Sequence, residues 1–220
     1  MRILGIDTST AASAACVLDG DAAHEVVPDP AELFEPPAHA RDLMPRVAEA
    51  VQRAGIGFEE LDAVAVGTGP GTFTGLRVGL ATARALAHAH GLELRPVSSL
   101  AALAAGIDAP ARLPLIDAKR GELFAALHDG DEVVWEPFTA SPSELAERLR
   151  ESAVTALAAG DGSVRFRDVL EGAGIAVAPD GSQAHVVRAL HVCRLAEAAQ
   201  PVAPEAVLPT YLREPDARPR

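Results

Sequence analysis

Between Val66 and Gly79 the chain reads VGTGPGTFTGLRVG, five glycines in fourteen residues. Glycines set between an apolar run and a helix-like run suit one piece of chemistry, the close approach of backbone amides to an anion at a helix N-terminus. The standard phosphate motifs are not met. A Walker loop needs Gly-x4-Gly-Lys-Ser/Thr, whose lysine reaches phosphate; here Gly71 and Gly75 are four apart and no lysine follows. A dinucleotide fingerprint starts at Gly69 and Gly71, but Phe73 and Thr74 follow and the next glycine comes late. The stretch is therefore either an anion cradle of its own kind or a set of tight turns and close packing contacts.

Other residues pose the same choice. Asp7, Thr8, Ser9 and Thr10 follow an apolar run. An aspartate there with hydroxyls after it can hold magnesium-bound water and phosphate, or can make an Asx-turn. Asp117 to Glu122, DAKRGE, is the matching turn further on, but Lys119 and Arg120 fill it and Gly121 comes late, a poor cradle that suits salt bridges better. The histidines His88 and His90, and His185 and His191, are not spaced to share a metal on one helix face. Cys16 and Cys193 show no metal-type spacing and read as buried thiols in a reducing compartment.

The elements that position these groups follow from pattern. Arg2–Ile6, Ser13–Leu18 and a strand starting at HEVV form a meander with its turn at Asp19–Gly20. Leu43, Val47 and Val51 mark a helix ending at Gly55, with Pro45 expected in its first turn. LDAVAVG is a buried strand, Thr74–His90 a helix stopped by Gly91, and Ser98 or Ser99 caps a further helix. The second half repeats the order: strand RLPLID, a hairpin turning at Asp129–Gly130, helix SPSELAERLR, strand AVTALAAG, and one long helix SQAHVVRALHVCRLAEAA. Two similar α/β halves joined near Gly106–Pro110 is the organisation this predicts. Gly75, Gly79, Ala83 and Ala87 make a small-residue stripe that suits close packing of another helix, from this chain or a partner.

Composition narrows the classes. The chain has 220 residues, 49% apolar and eight aromatic, so its core is built from Ala, Val and Leu. A net charge of −12 makes it a poor binder of nucleic acid on its own. The first apolar run stops at Asp7, too short for a signal peptide, and no run is long enough to span a bilayer. The chain reads as cytoplasmic, with no membrane role.

Together MRILGIDTST, GTGPGTFTGLRVGLATARALA, VSSLAALA, IDAKRGELFAAL and PTYLREPDA resemble the TsaB family, also called YeaZ, over most of the chain. The resemblance implies an actin-like ATPase (ASKHA) fold with two tandem RNase H-like lobes, 1–106 carrying the partner-binding helices and 107–220. It implies a non-catalytic partner of the transferase TsaD, which forms N6-threonylcarbamoyladenosine (t6A) at position 37 of tRNAs reading codons that begin with A. TsaE would join the pair, a second copy would replace TsaD in its absence, and tRNA would be touched only indirectly. No catalytic residue, metal or cofactor is expected. Where the catalytic family member carries a His-x3-His metal pair, this chain reads RPVSSLAALA. That leaves Asp7, Thr8, Ser9, Gly69, Gly71 and Asp117 as vestiges of phosphate turns, and places Leu43, Val47, Val51, Gly79, Ala83 and Leu86 near the partner seam. The competing readings are an ATP-binding hydrolase or kinase on the same fold, and a glycoprotease-like peptidase.

Overall fold

The computed structural model describes residues 1–130, 132–152 and 154–213. The tail arginines Arg218 and Arg220, and the Glu214–Ala217 end of the PTYLREPDA motif, lie outside the described residues. In the first half, β1 (Arg2–Asp7), β2 (Ala14–Asp19) and β3 (Ala22–Val26) form the meander. Then come α1 (His39–Ala54), β4 (Ala63–Gly67), α2 (Phe73–His90), β5 (Glu93–Val97) and α3 (Ser99–Ala104). The second half runs β6 (Ala111–Lys119), β7 (Glu122–Asp129), β8 (Glu132–Ala140), α4 (Pro142–Ser152) and β9 (Leu157–Ala159). It ends with α5 (Asp161–Arg165), α6 (Arg167–Gly172), β10 (Ala176–Val177) and α7 (Ala189–Ala198).

The two sheets have one topology. The first is ordered β3-β2-β1-β4-β5 and the second β8-β7-β6-β9-β10. In each, the first three strands pair antiparallel and the last two add in parallel. Strand alternation divides each sheet's side chains between two faces. Leu4, Ile6, Val17, Val64 and Val66 face α1 and α2, while Ile3, Cys16, Leu18 and Ala65 face the other way. That second face shares one core with Ile116, Ala118, Phe124 and Ala126 of the second sheet, and α3 and α7 contribute to it.

Three expectations change. The long helix read from Ser182 is broken: Gln183–His185 is a 3-10 turn, and the helix proper begins at Ala189. The buried pair Val186–Val187 stays out of it, and Glu25 reaches from β3 to accept from the Leu190 amide at 3.0 Å, supplying the new helix start with a cap. α7 then packs on β1 and β2 of the first sheet, where a Cβ on Gly5 would lie 2.5 Å from Cys193 Sγ. A division at 106 therefore separates the sheets but not the packing. Second, α1 starts at His39, so Pro45 is interior and not in the first turn; it sits on the exposed face, where water can satisfy the carbonyl its missing amide leaves free. Third, the small-residue stripe of α2 is divided: Ala83 and Ala87 lie in the core shared with α1, whereas Gly75 and Gly79 meet the turn after β1, described next.

Candidate functional site

Asp7 ends β1 and is 1% exposed. Its Oδ1 accepts from the Ser9 amide at 2.8 Å and the Ser9 hydroxyl at 2.6 Å. Its Oδ2 accepts from the Ser99 hydroxyl at 2.7 Å. Burial raises the Asp7 pKa, and the three donors pull against that shift. Ser99 Oγ also accepts from the Gly69 amide at 3.1 Å, so one hydroxyl ties Asp7 to the glycine loop. The sequence offered Ser98 or Ser99 only as helix caps. Ser98 is the cap, accepting from the Ala101 amide, and Ser99 has this second task, which linear spacing does not reveal.

The glycines explain themselves by what a Cβ would meet. At Gly67 it would lie 1.8 Å from Asp7 Oδ2, and at Gly71 2.4 Å from the Ser9 carbonyl oxygen. At Gly75 it would lie 2.0 Å from the Thr8 carbonyl oxygen, and at Gly79 2.3 Å from Thr8 Oγ1. Four glycines, each four residues from the last, lie against the Asp7–Ser9 turn. Two bonds seal the contact: the Thr72 amide to the Ser9 carbonyl at 2.8 Å and the Thr8 hydroxyl to the Gly75 carbonyl at 2.7 Å. Of the two readings of this stretch, close packing holds along Gly67–Gly79. Gly69 is the loop's left-handed position, with φ +104.

The second turn is filled by its own side chains. Asp117 Oδ1 accepts from the Lys119 amide at 2.8 Å, and Oδ2 from Lys119 Nζ at 2.9 Å. Arg165 lies 3.3 Å from the same oxygen. Lys119 and Arg120 take positive φ, 64 and 57, with Gly121 at 83, a strained turn for side chains of that size. The Asp117 amide donates to Asp161 Oδ1 at 3.1 Å, and burial first, with Asp117's charge adding, lifts the Asp161 pKa to about 6. Gly160 has no room for a side chain, a Cβ there meeting the Leu115 carbonyl at 2.0 Å. Its amide donates to His185 Nδ1 at 3.1 Å, and Nε2 lies 3.0 Å from the Pro179 carbonyl. This buried histidine, its pKa lowered mainly by burial, is a structural tie.

Asp7, Thr8, Ser9, Gly69 and Gly71 thus come together in one packed unit, and Asp117 lies across a cleft of about 550 Å3. The six residues expected at a partner seam are all in the chain's own core. Leu43 and Val47 are 1% and 0% exposed, Val51, Ala83 and Leu86 are buried with them, and Gly79 packs on Thr8. Burying each larger one contributes about 1.5–3 kcal/mol to folding. A surface on these helices is left to their outward neighbours.

Two lobes of one topology, facing across a cleft, are the actin-like ATPase fold. Comparison with known proteins makes this specific. The family model of TsaD, tRNA N6-adenosine threonylcarbamoyltransferase, matches residues 26–208. The chain is 31% identical over 229 residues to the tRNA threonylcarbamoyladenosine biosynthesis protein TsaB of Escherichia coli, covering 97% of this chain and 95% of that one. It is 37% identical over 143 residues, 65% of this chain, to an uncharacterized protein of Mycobacterium leprae, and spans only 40% of that relative. The solved structure of YeaZ from Pseudomonas aeruginosa superposes with a TM-score of 0.76 at 25% identity, over 96% of this chain and 99% of that one. The chain belongs to the TsaB (YeaZ) family. None of the helices among the described residues is long and apolar enough to cross a membrane.

Proposed function

We propose that this chain is the non-catalytic partner subunit of a TsaD-type transferase in t6A formation on tRNA. On this reading its two lobes, 1–106 and 107–220, form a cytoplasmic scaffold. A TsaE-type ATPase joins the pair, and a second copy takes the transferase's place when that is absent. The reading is supported by the turn after β1, whose Asp7–Ser9 segment packs against Gly67–Gly79 and whose Asp7 oxygens accept from Ser9 and Ser99, and by the second turn, where Lys119 pairs with Asp117. The E. coli relative's printed role in t6A biosynthesis supports the process.

The partner seam falls to the outward stripes of the two helices. Ala40, Met44 and Ala48 on α1, with Ala81 and Ala85 on α2, are exposed, small or flexible, and uncharged. Such a surface lets a second pair of helices approach closely. The hydrolase and peptidase readings lack comparable support: among the described residues no three His, Cys, Asp or Glu side chains group so as to hold a metal.

The test is omission. A TsaC-type protein, which makes the threonylcarbamoyl-AMP donor, is combined with TsaD- and TsaE-type proteins, unmodified tRNA, ATP, threonine and bicarbonate, with and without this chain. The expected result is that t6A forms only with it, while the chain alone neither modifies tRNA nor hydrolyses ATP. Equal modification without it overturns the reading.

A further inference from the structure

We propose that residues 202–213, which follow α7, form a clasp that holds the two lobes together across the cleft and lets go at its second-lobe end. The segment starts on the first lobe. The Val202 amide donates to the Leu94 carbonyl of the edge strand β5 at 2.9 Å. Val207 is 2% exposed and joins the core that α1 and α2 cover, where Arg84 of α2 donates to its carbonyl. The Thr210 amide donates to the Thr68 carbonyl at 2.7 Å, next to the glycine loop. Tyr211 stacks on Phe73 at 5.6 Å, and its hydroxyl accepts from Arg77 Nε at 3.4 Å. The same guanidinium lies over the Phe73 ring, 3.6 Å from its centre.

The next two residues reach the second lobe. Leu212 packs against the core that the two sheets share. The Arg213 guanidinium pairs at 2.6 Å with Glu122, the first residue of β7. Residues 210–213 line the cleft together with residues 71–75 of the first lobe and 117–120 of the second. The segment therefore runs from one wall to the other.

The two ends are held unequally. On the first lobe, Val207 is a buried apolar side chain backed by backbone hydrogen bonds on either side of it, the stronger hold. On the second, the Arg213 and Glu122 side chains stay 31% and 39% exposed, and an ion pair that open to water contributes little by itself. Leu212 is only partly buried. Local opening follows the weakest contacts. The clasp therefore parts at Leu212 and Arg213 while the rest stays on α2, and the cleft then widens about the shared core as a hinge.

The test reads the distance between the lobes in the full chain. Nitroxide labels are attached at Ala31→Cys in the first lobe and Glu147→Cys on α4, both exposed positions. Labelled chains are diluted into unlabelled ones so that only intrachain distances register. Cys16 and Cys193 are buried and stay unlabelled. Pulsed dipolar spectroscopy is expected to give one narrow distance distribution for the parent. Arg213→Glu sets two carboxylates against each other and should add a population at longer distance, larger still in Leu212→Ala/Arg213→Glu. The charge-swapped Glu122→Arg/Arg213→Glu chain should return to the parent distribution, with melting temperatures used to check that each variant is folded. The clasp is overturned if every folded variant keeps the parent distribution, or if the swapped chain stays as open as Arg213→Glu. Because the chain is read alone, this result stands apart from the omission assay.

Discussion

Asp161 shows how a residue inherited at a turn can work against the fold. It is 6% exposed, its pKa is about 6, and Oδ1 accepts from the amides of Asp117 and Gly162. A folded pKa above the unfolded value near 4 means that its contribution is fully present below pH 4 and is lost as pH rises through 6. At pH 8 the buried charge then costs roughly 2–3 kcal/mol. Asp161→Asn keeps an oxygen for both amides and removes the charge. Urea unfolding is expected to show the variant more stable by that amount at pH 8 and close to the parent at pH 4; the same change at both pH values would discount the charge. Asp7, also raised by burial, differs in having donors on both oxygens. Its carboxylate is the fixed centre on which Ser9, Ser99 and the glycine loop are assembled.

At the level of elements, Glu25 on β3 is the contact that decides where α7 begins. One oxygen caps the Leu190 amide and the other pairs with the Arg188 guanidinium, with Glu25's side chain 5% exposed. Glu25→Ala removes the cap and leaves Arg188 without this carboxylate, so chemical denaturation should show a loss of about 3 kcal/mol. Glu25→Gln, which retains a cap oxygen, should lose less. No local pattern foretold this. Leu190, Cys193 and Ala196 kept helical spacing, and the extension back to Ser182 looked equally good until a residue 163 positions away from Arg188 in sequence ended it. The strand meanders, α2 and its Gly91 stop were legible because period and turn residues lie in one stretch of chain. The role of the glycines was only half legible: their four-residue spacing was plain, but a stripe of small residues does not say what fills the space beside it. Here it is the Asp7–Ser9 turn.

For the whole molecule, the repeated strand order was readable as two similar halves, whereas the return of α7 to the first sheet was not, since it depends on Gly5 admitting Cys193. The same limit governed the seam. Helical spacing finds the apolar stripe of α1 and α2, and an apolar stripe is what both a core and an interface require. The core took Leu43, Val47, Val51, Ala83 and Leu86. If the outward stripe meets the partner, its weak point is small side chains that permit close approach. Ala81 and Ala85 are exposed on α2, and arginine there keeps good helix propensity, so Ala85→Arg should leave stability within about 0.5 kcal/mol of the parent. Calorimetric titration should show affinity for the TsaD-type subunit falling at least tenfold, with t6A formation in the reconstituted mixture falling alongside. Val134→Arg, on the exposed edge strand β8 of the other sheet, supplies the contrast and should leave association intact. If Ala81→Arg and Ala85→Arg both bind like the parent while Val134→Arg does not, the partner surface belongs to the second sheet's edge and not to these helices.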